Sequence, residues 1–279
     1  MRARYASRET PPTVLTVKES LAFVLEHQCS VARFGDGELM CILGQSLRFQ
    51  KSDAGLAKRL KEILRSDNEI AVCLPDVFDP ARLALRTDEN QAFWTTHLAT
   101  HRADWYRFVN FDRVYLNTAL SRFYIPFKDK EQSKADAAAL KKIWEDRDVL
   151  LIEGKLSRLG VGNDLFANAK RVQRILGPAR DAFDRYDELL AAGQAHGKDK
   201  LILIALGPTA TVLAYDLGRL GFQAIDIGHA DLEYEWLRSG AQTQTVVKGK
   251  FTNEAAGGSK VADVDKDDPY WQQIIQEIE

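Results

Sequence analysis

Cysteine is scarce in this sequence, and the few cysteines form no recognisable pattern. The three are Cys29, Cys41 and Cys73, and they make no closely spaced pair of the kind that binds a metal. Their odd number also argues against a disulfide framework of the kind that stabilises small secreted domains. We therefore expect a protein of a reducing compartment, the cytoplasm.

Long apolar runs are also missing. The sequence has no stretch of about 18 apolar residues, the length needed to span a membrane. Arginines and two prolines occur near the start, but no apolar segment of signal-peptide length follows them. We expect neither a transmembrane segment nor a leader peptide, whereas peripheral contact with a membrane stays open.

Neither sign of charge is in excess. The chain has 38 lysines and arginines against 40 aspartates and glutamates, which gives a formal net charge of -2. Because such a balance sets up no field that attracts nucleic acid, we expect no nucleic-acid partner. The 279 residues are 45% hydrophobic and 28% charged, a composition typical of a globular enzyme with a sizeable core. We expect one domain over 1–279, with a core at about 20–255 and an acidic C-terminal tail at 256–279.

Short apolar runs alternate with helical patterns along the chain. This order is typical of an α/β fold in which crossover helices connect the strands of a mostly parallel sheet. Helices are predicted after Asp53, from Ser133, between Asn163 and Gly177, from Pro208 to about Gly221 and near Asp231. Strands are predicted at 30–34, 70–74, 113–116, 148–152, 200–205 and 222–227.

Two carboxylates one glycine apart follow the first of these strands. They are Asp36 and Glu38, in the motif Arg33-Phe-Gly-Asp-Gly-Glu38. The glycines leave the carboxylate oxygens unobstructed, and hard oxygen ligands suit a divalent cation that carries phosphates. Asp-Gly is also a very common turn, so the motif alone leaves both interpretations open.

Two later strands end in glycine-bearing loops that precede predicted helices. The first loop carries Lys155 and Arg158, and the second carries Gly207 and Thr209. In parallel sheets, ligands bind beyond the carboxyl ends of strands, and helix N-termini offer free N–H groups to anions. A diphosphate would suit such loops. The first loop fits neither the Walker pattern nor the dinucleotide fingerprint, and a structural turn with solvated cations is the alternative.

An acidic cluster follows the last predicted strand. Asp231 and Glu235 would lie on one face of a helix, four residues apart, just after His229. Such a like-charge pair costs stability unless a cation or a raised pKa relieves it. One carboxylate could act as general base toward an acceptor hydroxyl, and His229 could bind a phosphate or orient the base. Acids that merely complement the helix dipole are the structural alternative.

Two further features sit near the middle of the chain. Arg122 follows the strand predicted at 113–116 and could pair with a phosphate. A stripe of aromatic residues indicates either core packing or one wall of an acceptor site. Its members are Phe93, Trp94, Trp105, Tyr106 and Phe108.

Five ordered motifs together resemble those of the GT-D-fold glycosyltransferases, a bacterial family first catalogued as domain of unknown function 1792. The resemblance extends from about Val31 to Glu254. It is carried by the segments 33–38, 121–130, 157–164, 205–210 and 226–236. Five motifs in order are far more specific than any one of them.

The resemblance implies a Rossmann-like, mostly parallel sheet with helices on both faces. It also implies transfer of a hexose from a nucleotide diphosphate sugar, typically a UDP-sugar, to a glycan or glycoconjugate acceptor. Such a reaction would serve surface polysaccharide or glycoprotein synthesis. Direct attack by the acceptor hydroxyl would invert the anomeric carbon.

The resemblance also assigns roles to residues. Asp36 and Glu38 would form an Asp-x-Glu element that holds Mn²⁺ or Mg²⁺. The acidic cluster would supply the base, with Glu235 ranked before Asp231 and with His229 beside them. The nucleotide sugar would be bound by Arg33, Arg122, Lys155, Ser157, Arg158, Gly160, Gly162, Asn163, Asp164, Gly207 and Thr209.

Two other classes of function remain open. A glycoside hydrolase would use Asp36 and one acid of the late cluster, and it would need neither metal nor nucleotide. A non-catalytic module would only bind a nucleotide or a glycan. The donor sugar, the acceptor and the oligomeric state are beyond the sequence.

Overall fold

The computed structural model describes residues 10–67, 69–258, 261 and 264–279. Within these residues the strands form one sheet, and every neighbouring pair runs parallel. The order across the sheet is β1-β4-β3-β2-β8-β7-β5-β6-β9. The strands are β1 (Thr13–Val14), β2 (Val31–Arg33), β3 (Ala71–Leu74), β4 (Val114–Asn117), β5 (Asp148–Gly154), β6 (Arg171–Gly177), β7 (Leu201–Ala205), β8 (Gln223–Asp226) and β9 (Ile274–Glu277).

Helices connect most of these strands. Short 3-10 helices lie at Thr118–Ser121, Lys142–Trp144 and Ala182–Arg185. In the described part of the chain, no helix is both long and apolar enough to cross a membrane. The α-helices are α1 (Val17–His27), α2 (Asp36–Ile42), α3 (Ala54–Arg65), α4 (Pro80–Leu83), α5 (Asp88–Phe108), α6 (Lys130–Lys141), α7 (Tyr186–His196), α8 (Pro208–Arg219), α9 (Ala230–Ser239) and α10 (Tyr270–Gln273).

The helices cover both faces of the sheet, as the resemblance implied. Leu151 of β5 belongs to a buried cluster with residues of α1, α6 and α9. The next residue, Ile152, packs on the opposite face with residues of α7 and α8. On that same face Val72 of β3 packs with α2, α3 and α5. Because successive strand residues point to opposite faces, strands covered on both sides are apolar throughout.

The predicted strands are all present, with ends that differ by one or two residues from those expected. Two predicted helices are also confirmed. The carboxylate of Asp53 caps α3 by accepting a hydrogen bond from the Leu56 N–H at 2.8 Å. Helix α8 begins at Pro208 and is followed by Gly221, whose positive φ of 87° ends it.

The helix predicted between Asn163 and Gly177 is wrong. Residues 163–170 form turns, and the following segment is β6, which runs parallel to β5 over its whole length. Arg174 of β6 forms a buried ion pair with Glu153 of β5. Arg174 has its ionic partner on the neighbouring strand, which no local pattern in the sequence reveals.

The start of α6 also differs from the prediction. The helix begins at Lys130, three residues before Ser133, because the Asp129 carboxylate accepts a hydrogen bond from the Gln132 N–H at 2.9 Å. Ser133 lies inside the helix, where its hydroxyl donates to the Asp129 carbonyl at 3.0 Å. The predicted start of the helix was therefore about one turn too late.

Both ends of the described chain contribute to the sheet. Strand β1 and the start of α1 precede the predicted core at 20–255, and β9 pairs with β6 within the predicted tail. Of the acidic residues of the tail, Asp263 lies outside the described residues. The limits of the domain and of its core stay predictions.

The sheet leaves a crevice at its carboxyl edge. Strand β2 lies at the centre, with β3 and β4 on one side and β8, β7 and β5 on the other. The connection after β2 leads to β3 on one side, whereas the connection after the adjacent β8 leads to β9 on the opposite side. In open parallel sheets, this change of direction separates the adjoining loops and creates a binding crevice beyond the strand ends.

Candidate active site

A cleft of about 750 Å³ occupies this crevice. Segments after β2, β3 and β4 form one half of it, and segments after β5, β7 and β8 form the other. Its volume is in the range of small-ligand sites. The predicted site residues that line it are Arg33, Asp36, Glu38, Arg122, Ser157, Gly207, His229 and Asp231.

Asp36 and Glu38 belong to the first turn of α2. The Glu38 carboxylate accepts a hydrogen bond from the Gly35 N–H at 2.6 Å and thereby closes that turn. Burial raises the pKa of Glu38 to about 7; Arg33 opposes this shift, and the negative charges of Asp226 and Asp36 add to it. Three carboxylates therefore face one region in which further positive charge would be favourable.

These carboxylates fit a cation that brings other ligands with it. Among the described residues, no group of three or more His, Cys, Asp or Glu side chains is placed to hold a metal ion. Mg²⁺, however, is commonly held by one or two carboxylates together with substrate phosphates and water. The raised pKa of Glu38 marks a negative charge that such a cation would stabilise. Metal binding by Asp36 and Glu38 stays a prediction.

Arg33 connects β2 to the end of β8. Its Nε lies 3.5 Å from the Asp226 carboxylate, and its Nη1 donates to the Thr118 carbonyl at 3.3 Å. Gly228 permits this position, because a Cβ there would lie 1.9 Å from the Arg33 guanidinium. Arg33 is thus held at the cleft wall by contacts from two other segments, the end of β8 and the residue that follows β4.

Arg122 and His229 form a network with a residue that the sequence analysis did not assign. Arg122 donates to both carboxylate oxygens of Glu254 and, at 3.2 Å, to Nδ1 of His229. Because a guanidinium has only donors, Nδ1 must accept. The ring proton is then on Nε2, which donates to the Asn253 side-chain oxygen at 3.3 Å.

Burial and ion pairing together determine which residues of this network are charged. Burial and the nearby Arg122 charge lower the pKa of His229 to about 4, so the ring is neutral at pH 7. Burial by itself would raise the pKa of Glu254, but attraction to Arg122 and His229 outweighs it and lowers that pKa to about 2. Arg122 therefore holds an anionic group inside the cleft, and this group is the carboxylate of Glu254. Pairing of Arg122 with a phosphate stays a prediction.

Asp231 and Glu235 share one face of α9, as predicted, and a lysine relieves their repulsion. Lys250 Nζ lies 2.6 Å from the Asp231 carboxylate and 3.2 Å from that of Glu235. The Asn163 amide donates to both acids, at 2.8 and 2.7 Å. We call these four residues the clasp. Lys250 is almost completely buried.

The clasp changes how the acidic cluster is understood. Asp231 lines the cleft, whereas Glu235 is not among the lining residues. Glu233 is fully buried, and its carboxylate accepts hydrogen bonds from the Tyr124 and Ile125 N–H groups at 2.9 and 2.8 Å. Glu233 thus stabilises the backbone next to Arg122. The catalytic roles of Asp231, Glu235 and His229 stay predictions.

The cations of the first predicted phosphate loop do not line the cleft. Lys155 is half exposed and lies 3.3 Å from both Glu277 and Glu279 near the end of the chain. Arg158 is buried and donates to the Gly249 carbonyl at 3.0 Å. Both side chains bind other parts of the protein instead of pointing into the cleft.

The other predicted ligands of this loop support α9. The Gly160 N–H donates to Asp231 at 2.8 Å, and the Asp164 carboxylate binds Lys141 and the Tyr234 hydroxyl, each at 3.0 Å. Gly162 and Asn163 also lie outside the cleft lining.

In the second loop, Gly207 lines the cleft but Thr209 does not. Thr209 is buried, and its hydroxyl lies 3.4 Å from the side-chain oxygen of Gln50.

Three arginines that line the cleft were missed, namely Arg48, Arg86 and Arg180. Arg48 donates to the Asn253 carbonyl at 3.3 Å, and Arg180 is exposed. Arg180 makes no hydrogen bond or ion pair that the described residues supply. The sequence did contain a signal for Arg180. If β6 is recognised as a strand, Gly177-Pro178 indicates that the strand ends there, and Arg180 then lies in a loop at the carboxyl edge of the sheet.

The aromatic stripe divides between the two roles that the sequence left open. Trp105, Tyr106 and Phe108 are buried in the core. Phe93 and Trp94 line the cleft at the end formed by α5. Only the packing of α5 decides which aromatic residues reach the cleft.

A parallel α/β sheet with a charged cleft at its carboxyl edge is typical of α/β enzymes that bind their ligands beyond the strand ends. A family model described as "Glycosyltransferase GT-D fold" matches residues 31–255, and the chain belongs to this family. The family assignment made from the ordered motifs is thereby confirmed.

Similar proteins agree with this assignment. The chain is 41% identical over 276 residues to "Glycosyltransferase GlyD" of Streptococcus pneumoniae serotype 4, covering 97% of this chain and 33% of that protein. It is 41% identical over 244 residues to "Probable glycosyl transferase Gly" of Streptococcus gordonii, covering 87% of this chain and 35% of that one. The chain thus spans about a third of the length of these curated relatives.

Solved structures are similar over the whole chain. One is described as "The highly conserved domain of unknown function 1792 has a distinct glycosyltransferase fold"; its TM-score is 0.91 at 38% identity, with 100% of both chains covered. Another, "A New Glycosyltransferase (DUF1792) from Streptococcus sanguinis", has a TM-score of 0.90 at 39% identity and covers 96% of this chain and 100% of that one.

The clasp predicts a large effect of its lysine on stability. Replacing Lys250 by Met leaves the buried Asp231 carboxylate without its ammonium partner and should lower the free energy of unfolding by about 3–5 kcal/mol. Lys155→Met is the matched control, because it also removes a lysine between two acids, but at the surface, and should cost under about 1 kcal/mol. Urea denaturation measures both. Equal, small effects would contradict the clasp.

Proposed function

We propose that this chain transfers a hexose from a nucleotide diphosphate sugar, a UDP-sugar, to a hydroxyl of a glycan or glycoconjugate acceptor. One observation supports this proposal above the others: Asp36, Glu38 and Arg122 line the same cleft at the carboxyl edge of a GT-D sheet. A cation and a diphosphate together complement that set of charges. We further propose a place in bacterial surface polysaccharide or glycoprotein synthesis.

The donor phosphates would lie between the acidic pair and the arginines of the cleft. Arg122 already binds a carboxylate, and phosphate oxygens can occupy the same guanidinium in a bidentate manner. Arg180 is exposed at the cleft and could add a second positive charge. These contacts would orient the sugar and stabilise the negative charge of the departing nucleoside diphosphate.

A divalent cation, Mn²⁺ or Mg²⁺, would be held by Asp36 and Glu38. When bound, it would supply Lewis-acid stabilisation of the leaving diphosphate. Glu38 would give up its proton on cation binding, because a carboxylate binds a metal in its ionised form. The neutral His229 would add no charge and would keep Arg122 in position through its Nδ1.

For the general base, we place Asp231 before Glu235, which reverses the order expected from the sequence. Asp231 lines the cleft and Glu235 does not, although both contact Lys250 and Asn163. A base must come within hydrogen-bond reach of the acceptor hydroxyl.

We also propose a cytoplasmic location, in which nucleotide sugars and reduced thiols coexist. Cys29, Cys41 and Cys73 are free in the structure, which agrees with a reducing compartment.

Donor binding can be tested by thermal shift with a panel of nucleotide sugars, with and without Mn²⁺. A donor at 100 times its Kd adds about 2.7 kcal/mol, which corresponds to a rise of about 5 °C. Protons and the cation compete for the Glu38 carboxylate. The Mn²⁺-dependent part of the rise in melting temperature should therefore be largest at pH 8 and should decrease as the pH drops below about 7.

Variants of the acidic pair provide the controls for this experiment. Asp36→Asn and Glu38→Gln should lose the Mn²⁺-dependent part of the shift. Glu131→Gln, which changes an exposed acid in the first turn of α6, should keep it. If no nucleotide raises the melting temperature with or without metal, the transferase proposal fails.

The choice of base predicts different kinetics for two similar substitutions. Asp231→Asn should lower kcat about 100-fold or more, the usual contribution of a general base, with little change in donor KM. Glu235→Gln should lower kcat less than about tenfold, although it touches the same clasp. Thermal unfolding of both variants checks that they are folded. A larger loss in Glu235→Gln would restore the order expected from the sequence.

The reaction should invert the anomeric carbon, because direct attack by an activated hydroxyl displaces the diphosphate from the opposite side. NMR of the product gives the anomeric configuration through the coupling constant of the anomeric proton. A product with the same configuration as the donor would rule out inversion.

A further inference from the structure

One aromatic ring is exposed inside the cleft. Seven large hydrophobic side chains are exposed in the described residues, and among these Phe93, with 46% of its surface exposed, is the one that lines the cleft. Leaving such a ring in water costs free energy that a ligand would recover on covering it. A ring in that position therefore suggests an apolar ligand surface.

The Phe93 ring has neighbours that hold its orientation. The Trp94 ring meets it edge-on, with centroids 5.3 Å apart, and the His97 ring stacks at 6.0 Å with an interplanar angle of 20°. Trp94 is nearly buried and forms the wall behind it. Phe93 thus presents a supported surface to the cleft, so little side-chain entropy would be lost on binding.

Polar groups surround this ring. Glu89 lies one helical turn before Phe93 on α5, is exposed and lines the cleft. Asn90 also lines it; its side-chain oxygen accepts a hydrogen bond from Arg86 at 3.1 Å. The amide hydrogens of Asn90 have no partner that the described residues supply. A carboxylate acceptor and an amide donor therefore flank one exposed ring.

This end of the cleft differs in charge from the end that would take the phosphates. Arg86 is neutralised by the buried Asp76 at 2.7 Å, so the exposed Glu89 gives the Phe93 end a negative character. Arg180, by contrast, follows β6. In the order of strands, β6 lies on the opposite side of β2 from β3 and β4. A phosphate would be repelled at the Phe93 end, whereas a neutral ligand with hydroxyl groups would not.

The Phe93 end also adjoins the predicted donor anchor. The negative charge of Asp36 acts on His97, the residue on which Phe93 stacks. A ligand on Phe93 would therefore lie beside the residues proposed to hold the donor, where an acceptor must be for transfer to occur.

We propose that Phe93, Glu89 and Asn90 form the subsite for the acceptor, and that this acceptor is a neutral pyranose. The ring of Phe93 covers the apolar C–H face of the sugar, while the carboxylate and the amide bind its hydroxyl groups. The assignment rests on the proposed transferase function, because it takes the adjoining part of the cleft, between Asp36 and the arginines, to hold the donor.

The test uses saturation-transfer NMR with methyl glycosides of glucose, galactose and N-acetylglucosamine, whose methyl aglycone adds no second ring. At least one of these should bind to the wild-type chain. Phe93→Ala should weaken that binding by about fivefold or more, and Phe93→Trp should retain it. Glu89→Gln should weaken it by about threefold, since a neutral amide accepts a weaker hydrogen bond.

Phe23→Ala is the matched control. Phe23 is also an exposed phenylalanine on a helix stacked on a histidine four residues later, but it lies outside the cleft. Its loss should leave glycoside binding unchanged. Thermal shift by UDP with Mn²⁺ should be the same in the wild type, Phe93→Ala and Phe23→Ala.

The outcomes separate this proposal from the transferase function on which it rests. If UDP binds with Mn²⁺ and none of the glycosides binds, or if Phe93→Ala binds them as the wild type does, the acceptor subsite is wrong and the donor site stands. If Phe93→Ala loses UDP binding instead, the ring stacks on the donor base and the subsite is again wrong. If glycosides bind through Phe93 but no nucleotide does, the saccharide subsite stands and the transferase proposal fails.

Discussion

The contact of Lys250 with Asp231 and Glu235 is the constraint on which the cleft depends. Because the ammonium and the Asp231 carboxylate are both buried, neither can leave the other without a cost of several kcal/mol. Asn163, in the loop after β5, also donates hydrogen bonds to both acids. The clasp therefore fixes α9, the loop after β5 and the segment that follows Lys250 relative to one another. That segment then brings Asn253 and Glu254 to His229 and Arg122.

The remaining charges of the cleft follow from the same principle. Arg33 is balanced by Asp226, and Arg122 by Glu254. The acidic pair at the start of α2 is less well balanced, and the raised pKa of Glu38 reflects this. A cation would supply the positive charge that the acidic pair lacks, and a diphosphate would supply negative charge to the exposed Arg180, which is the physical reason for proposing a nucleotide sugar. The aromatic end is different: there a ring, a carboxylate and an amide suit an uncharged sugar.

Much of the fold could be predicted, and the failures have particular causes. The strands found by their apolar runs were those covered on both faces, such as β5 and β7. The segment of β6 was assigned to a helix because Gly177-Pro178 at its end is a typical helix stop; the partner of Arg174, Glu153, lies 21 residues away. In the site, Asp36, Arg122 and His229 line the cleft because each lies a few residues after a strand that ends at the carboxyl edge, while their roles stay predictions.

The sequence by itself determined six of the strands, the parallel sheet and the family, because these depend on local periodicity and on motifs read in order. It also determined which loops adjoin the cleft. The direction of each side chain was decided only by the tertiary structure. Lys155 and Arg158 lie in such a loop yet bind Glu277 and the Gly249 carbonyl, respectively. Asp231 and Glu235 appeared as an unrelieved acidic pair until folding brought Lys250 to them. Ion pairs between distant segments form by packing, and no spacing along the chain encodes them.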